Sequence, residues 1–136
     1  MRLDGFGSLR IGTGEPSGTA KLDVGGALKV DGPYGSDFLA VSSGPASIVA
    51  GATSCDATGG SFTVELPSAV GIAGRRFFVK RINSGANTVT VDGDSTETID
   101  GMSSQRLDTQ WAAITVVSNG ATWIIESQMG TVTGIP

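Results

Sequence analysis

The chain has 136 residues, a net charge of −4, 21 glycines, no histidine and one cysteine, which leaves room for one ordinary domain or a small domain with an extended arm. The acidic balance argues against nucleic acid as the main partner, since phosphate binding needs clustered Lys and Arg. The missing histidine removes Ser-His-Asp and Cys-His catalysis, and the lone Cys55 excludes an intrachain disulfide or a Cys-based zinc site.

In chain order, the first distinctive stretch is "RIGTGEPSGTAKLDVGGALKVDG", residues 10–32. Gly12, Gly14 and Gly18 invite comparison with a phosphate-cradling loop, which should follow a strand and open a helix. Pro16 inside the loop, and the alternating "AKLDVGGALKV" after it, offer no helix start. The stretch reads as a turn. Through residue 45 the apolar residues are sparse and lie between glycines: Leu9, Ile11, Leu22, Val24, Leu28, Val30, then Phe38, Leu39 and Val41. Ordering a chain costs about 1–2 kcal/mol per residue, so this arm needs other copies of itself or a larger assembly to fold against. Tyr34, in "DGPYGSD", sits on a turn joining arm to domain and is a candidate surface contact.

From about Ser47 to Gln128 strand signals recur, and glycine and proline leave "PSAVGIAG" (67–74) a turn at most. "SIVAGATSCDATGG" (47–60) holds one or two strands, and "SFTVEL" (61–66) alternates Phe62, Val64 and Leu66 against Thr63 and Glu65. "RRFFVKRI" (75–82), "NTVTV" (87–91), "AAITVVS" (112–118) and "TWIIES" (122–127) continue the series. "NSGAN" (83–87) and "SNGA" (118–121) read as hairpin loops, the second carrying Asn-Gly. Arg75, Arg76, Lys80 and Arg81 form a basic cluster that strand alternation divides between faces, which reads as solvated sheet surface. Cys55 is expected to pack as a small hydrophobe.

The acidic stretch "VDGDSTETIDG" (91–101) offers Asp92, Asp94, Glu97 and Asp100 as oxygen ligands. Counted from Asp92, Glu97 stands where a calcium loop needs glycine and Ser103 where it needs a closing carboxylate, so that spacing fails and a polar loop is the simpler reading. Glu65 and Glu126 could pair for glycan hydrolysis only in a groove that the sequence does not announce. Trp123 alternates with Ile125 and reads as core; Trp111, after "LDTQ", reads as core with surface contact as the alternative.

Two stretches carry a resemblance. In residues 10–32, Ile11, Gly12, Thr13, Pro16, Ser17, Lys21, Leu22, Asp23, Val24 and Gly26 resemble a repeat of phage tail fibres and other trimeric fibrous proteins. "DATGGSFTVELPSA", "GRRFFVKRINSGANTVTVDGDSTETIDG" and "ITVVSNGATWIIES", within residues 56–127, resemble successive blocks of a β domain found at the ends of tailed-phage fibre and particle-surface proteins. The resemblance implies a homotrimer in which Ile11, Leu22, Val24, Leu28 and Val30 meet around a threefold axis. Fibres carry many such repeats and this chain about one, which favours a short head fibre or a capsid decoration (cement) protein over a long shaft.

The expected fold is therefore all-β: an extended arm over residues 1–45 for anchoring and trimerisation, then a compact antiparallel β-sandwich over 46–136. The expected function is structural, on the virion surface of a tailed phage, with no enzyme activity, cofactor, metal, nucleic acid or membrane partner. The expected partners are further copies of the chain and a virion protein such as the major capsid protein. The alternative is a tail-knob module that binds host surface glycan, with Tyr34 and Trp111 as candidate contacts. No signal-peptide pattern or apolar run of about 18 residues occurs, which implies synthesis in the host cytoplasm.

Overall fold

The computed structural model of the chain describes residues 35–136, together with the paired backbone of two short strands near the N-terminus. Those two, β1 (Arg2–Leu3) and β2 (Leu9–Arg10), run antiparallel, with Arg2 opposite Arg10 and Leu3 opposite Leu9. The chain divides by internal contacts into Met1–Tyr34 and Gly35–Pro136. The trimer-contact expectations for Ile11, Leu22, Val24, Leu28 and Val30, and the surface expectation for Tyr34, lie outside the described residues.

Within Gly35–Pro136 the strands are β3 (Phe38–Val41), β4 (Ala46–Ser47), β5 (Ala52–Cys55), β6 (Phe62–Glu65), β7 (Arg76–Arg81), β8 (Val89–Asp92), β9 (Ser104–Leu107), β10 (Ala113–Ser118), β11 (Trp123–Met129) and β12 (Val132–Ile135). No helix forms among the described residues, and residues 67–74 make turns as their glycines and proline require. The strands build two five-stranded sheets, ordered β11-β10-β7-β5-β3 and β12-β9-β8-β6-β4. Buried side chains of both sheets merge in one core: Val79, Ile114, Val116 and Trp123 from the first, Val64, Val89, Val91 and Leu107 from the second. The unit is thus an all-β sandwich, and it takes in β3, upstream of residue 46.

The sheets are mixed, which corrects the antiparallel expectation. From β3 to β8 consecutive strands alternate between the sheets, so β3–β5, β5–β7, β4–β6 and β6–β8 pair in parallel. Each parallel pair is joined by a crossover whose middle strand lies in the opposite sheet. Antiparallel pairing begins only at β8–β9 and holds for β7–β10, β10–β11 and β9–β12. Residues 83–87 therefore form an arch from one sheet to the other and not a hairpin. Loop composition reports turning of the chain, not which sheet the next strand joins.

The 118–121 loop does close a hairpin, β10–β11, with Ser118 opposite Trp123. Gly120 takes φ 96° there, while the Asn119 side chain accepts the Ala121 and Thr122 N–H groups at 2.9 and 2.8 Å. Trp123 is core, 1% exposed, with its ring edge-to-face on Phe77 at 5.6 Å. Such a pair is worth about 0.5–1.5 kcal/mol beyond area burial. Cys55 is fully buried, as a small apolar residue would be, and burial pushes its thiol pKa up to about 12.

Candidate functional site

The outward face of the β11-β10-β7-β5-β3 sheet collects large apolar side chains. Its registers set Phe38, Ala52, Phe78, Thr115 and Ser127 in one row across all five strands. The next row runs Ala40, Ser54, Lys80, Ala113 and Met129, and on the other side Arg76, Val117 and Ile124 line up. Phe38 is 69% exposed, Met129 59%, and Ile124 and Phe78 lie open as well. This face follows from period two in "RFFVKR": Phe77, Val79 and Arg81 turn inward, leaving Arg76, Phe78 and Lys80 outside.

Trp111 joins the same patch. Lys80 Nζ lies 5.5 Å from the centre of its ring, and the indole is 51% exposed, so the core reading of this residue gives way to the surface one. Its φ of 67° is left-handed, a conformation that costs a bulky residue of order 1–3 kcal/mol and persists only where neighbours enforce it. Here the Trp111 N–H donates to Arg81 O at 3.0 Å and the Ala112 N–H to Thr109 O at 3.0 Å, pinning the turn from both sides.

Beneath that turn the structure corrects the surface expectation for one member of the basic cluster. Arg81 is fully buried, not part of a solvated surface. Its Nε donates to Asn83 Oδ1 at 3.2 Å, Nη1 to Asp108 O at 2.5 Å and Nη2 to Gly85 O at 2.6 Å. Asn83 in turn accepts the Ala57 N–H at 3.0 Å and donates to Asn87 O at 3.2 Å, while the Asn87 side chain donates to Ala57 O at 2.9 Å. One guanidinium thus ties the 83–87 arch and the turn leading to Trp111 to the sandwich. The signal was present in the sequence, because Arg81 is in phase with Phe77 and Val79.

Asp108 extends the network. Burial pushes its carboxyl pKa upward, but hydrogen bonds from Thr133 and Arg106, with the charges of Arg106 and Arg81, outweigh that and hold it below the usual range. A depressed carboxyl contributes stability in full above its unfolded pKa of about 3.9 and loses it as pH falls through the folded value. Asp108→Asn should therefore flatten the acid limb of stability against pH, measured as urea midpoints between about pH 6 and about pH 3. A variant with an unchanged acid limb would show that other carboxylates carry it.

Two acids of the acidic stretch are engaged in structural hydrogen bonds. Glu97 accepts from Ser68 Oγ and the Ala69 N–H, both at 2.7 Å, and Asp100 Oδ1 accepts the Ile125 N–H at 3.0 Å. Among the described residues no three Asp, Glu, Cys or His side chains gather at one point. Glu65 stands exposed on β6, in the opposite sheet from Glu126, whose two oxygens accept from Arg76 Nε and Nη2 at 2.8 Å each. A shallow hollow is lined by Ser42, Ser43, Gly44, Gly59, Gly60, Ser61 and Phe62, none of which ionises near neutral pH. The feature the described residues do assemble is the open apolar sheet face. No family model matches the chain, and no curated protein matches it.

Proposed function

We propose that the protein is a structural, non-catalytic component of a tailed-phage particle surface, a homotrimeric capsid decoration or short head-fibre protein. The observation that carries this reading is the apolar sheet face of Phe38, Phe78, Ile124, Trp111 and Met129, which an isolated chain leaves in water. Contiguous exposed patches of this kind mark interaction sites. The fibre-like repeat of residues 10–32 supports the trimer, and the blocks within 56–127 support the phage assignment. Attachment to a neighbour such as the major capsid protein would draw on buried apolar area, at roughly 25 cal/mol per Å² before association costs.

The test has two parts. Light scattering on the purified chain should give a trimer, and replacing Leu22 and Val24 together with Asp should reduce it to a folded monomer. Native mass retained in that double variant would remove the arm as the trimerising element. Immunogold labelling of intact particles should decorate their surface; unlabelled particles would end the virion reading.

A second reading, a receptor-binding tip for host surface glycan, is favoured by Trp111, an aromatic ring displayed on strained backbone. It calls for a glycan that quenches or shifts Trp111 fluorescence and whose binding is lost in Trp111→Ala.

A further inference from the structure

We infer that the outward face of the β11-β10-β7-β5-β3 sheet is a self-association face, covered in the assembled protein by the same face of further copies of this chain. The inference deepens the assembly reading above and rests on it only for the number of copies.

The charge pattern selects a second copy as the occupant. In the sequences of these five strands Glu126 is the one carboxylate, and it is ion-paired with Arg76 at 2.8 Å on the face itself. Arg81 is turned into the core, and Lys80 lies against Trp111. The remaining outward positions are Ala, Ser, Thr, Val, Ile, Phe and Met. Such a face carries one uncompensated charge, Lys80 near its edge with Trp111, so it meets a copy of itself with little like charge in opposition, although the chain as a whole carries −4. It has no row of free cations for an anionic partner.

The size of the face sets the strength of the contact. Five strands at about 4.8 Å spacing and about five residues at 3.3 Å give on the order of 400 Å² per copy. A standard interface takes about 800 Å² from each partner, so a pair held by this face alone dissociates on dilution. Around a threefold axis the three faces converge and each is covered by two neighbours, and a second point of attachment raises the effective concentration further.

The two tryptophans make the face directly readable. Trp123 is buried in the core, while Trp111 is half exposed and stands on the face. The experiment is acrylamide quenching of the intact chain, followed with light scattering across a dilution series. The expected result is a blue-shifted, quench-resistant Trp111 in the oligomer that becomes red-shifted and quenchable as the mass falls. Phe78→Lys and Met129→Lys, each at an exposed site, should abolish both the protection and the mass increase; if Phe78→Lys exposes Cys55 to thiol reagent and so is unfolded, Met129→Lys decides. A protected dimer would support the face and refute the trimer. An oligomer whose Trp111 stays quenchable, or either folded variant assembling like the parent chain, would overturn the face and leave the assembly reading standing. A chain monomeric at all concentrations would overturn both.

Discussion

Arg81→Ala should cost about 3–5 kcal/mol of unfolding free energy, because it deletes a fully buried side chain together with three charge-assisted hydrogen bonds. Asn83 Oδ1 and Gly85 O on the 83–87 arch and Asp108 O on the turn before Trp111 lose the guanidinium at once. Each kcal/mol is worth about 4–8 °C of melting temperature in a domain of about this size, so the loss is plain in calorimetry. Arg81→Lys should recover little, since one ammonium on a flexible stem cannot reproduce a planar fork aimed at spread acceptors. The same variants should loosen the turn that holds Trp111 at positive φ, read as a change in its emission. If Arg81→Ala melts within a degree or two of the parent chain, the network is ornamental and the arch is held by packing alone.

The second large effect is at Trp123, where two substitutions should part company. Trp123→Ala empties the centre of the core against Phe77 and should cost about 3–5 kcal/mol. Trp123→Phe should cost less than about 1.5 kcal/mol, because the indole Nε1 finds no acceptor among the described residues, and its removal relieves a desolvated N–H while keeping most of the ring. Urea unfolding of the two variants side by side measures the difference. Equal damage from Phe and Ala would mean that the indole N–H is satisfied after all. The Phe variant also leaves Trp111 as the single fluorophore, which sharpens the quenching experiment.

Where alternation is strong, the strands were legible. "SFTVEL", "RRFFVKRI", "NTVTV", "AAITVVS" and "TWIIES" all appear as strands within a residue or two at most ends, and Trp123 falls on the inward phase shared with Ile125. β9, "SQRL", escaped because Leu107 is its one large apolar residue, while Ser104 and Gln105 are buried as polar groups, the Gln105 amide donating to Ile99 O at 3.0 Å. β12 escaped because "VTGI" is short and carries a glycine. Parallel pairing could not be read locally, since it depends on which distant strand each segment meets.

The candidate site was less legible than the fold. Trp111 stands out in the sequence as an aromatic, but its exposure follows from a left-handed backbone set by hydrogen bonds involving Arg81 and Thr109, neither of which a strand pattern announces. Phe78 and Phe38 become one row only once β5 is placed between their strands. Arg81 shows the opposite failure. Its phase with Phe77 and Val79 points inward, whereas its place among Arg75, Arg76 and Lys80 reads as solvated surface.

The alternation of β3 to β8 between the two sheets has a consequence for how the molecule is made and lost. Neither sheet is a contiguous length of chain, so no fragment ending within this region contains a finished half. A nick at any of these arches severs two interleaved layers together. Unfolding should accordingly be all-or-none across the sandwich, and folding slow for its length, because parallel neighbours are separated by a whole crossover that must close before any ladder bond rewards it. The β10–β11 hairpin, with its local Asn119–Gly120 turn, is the one large piece that can form early. The rest of the sandwich must then wind itself onto that edge.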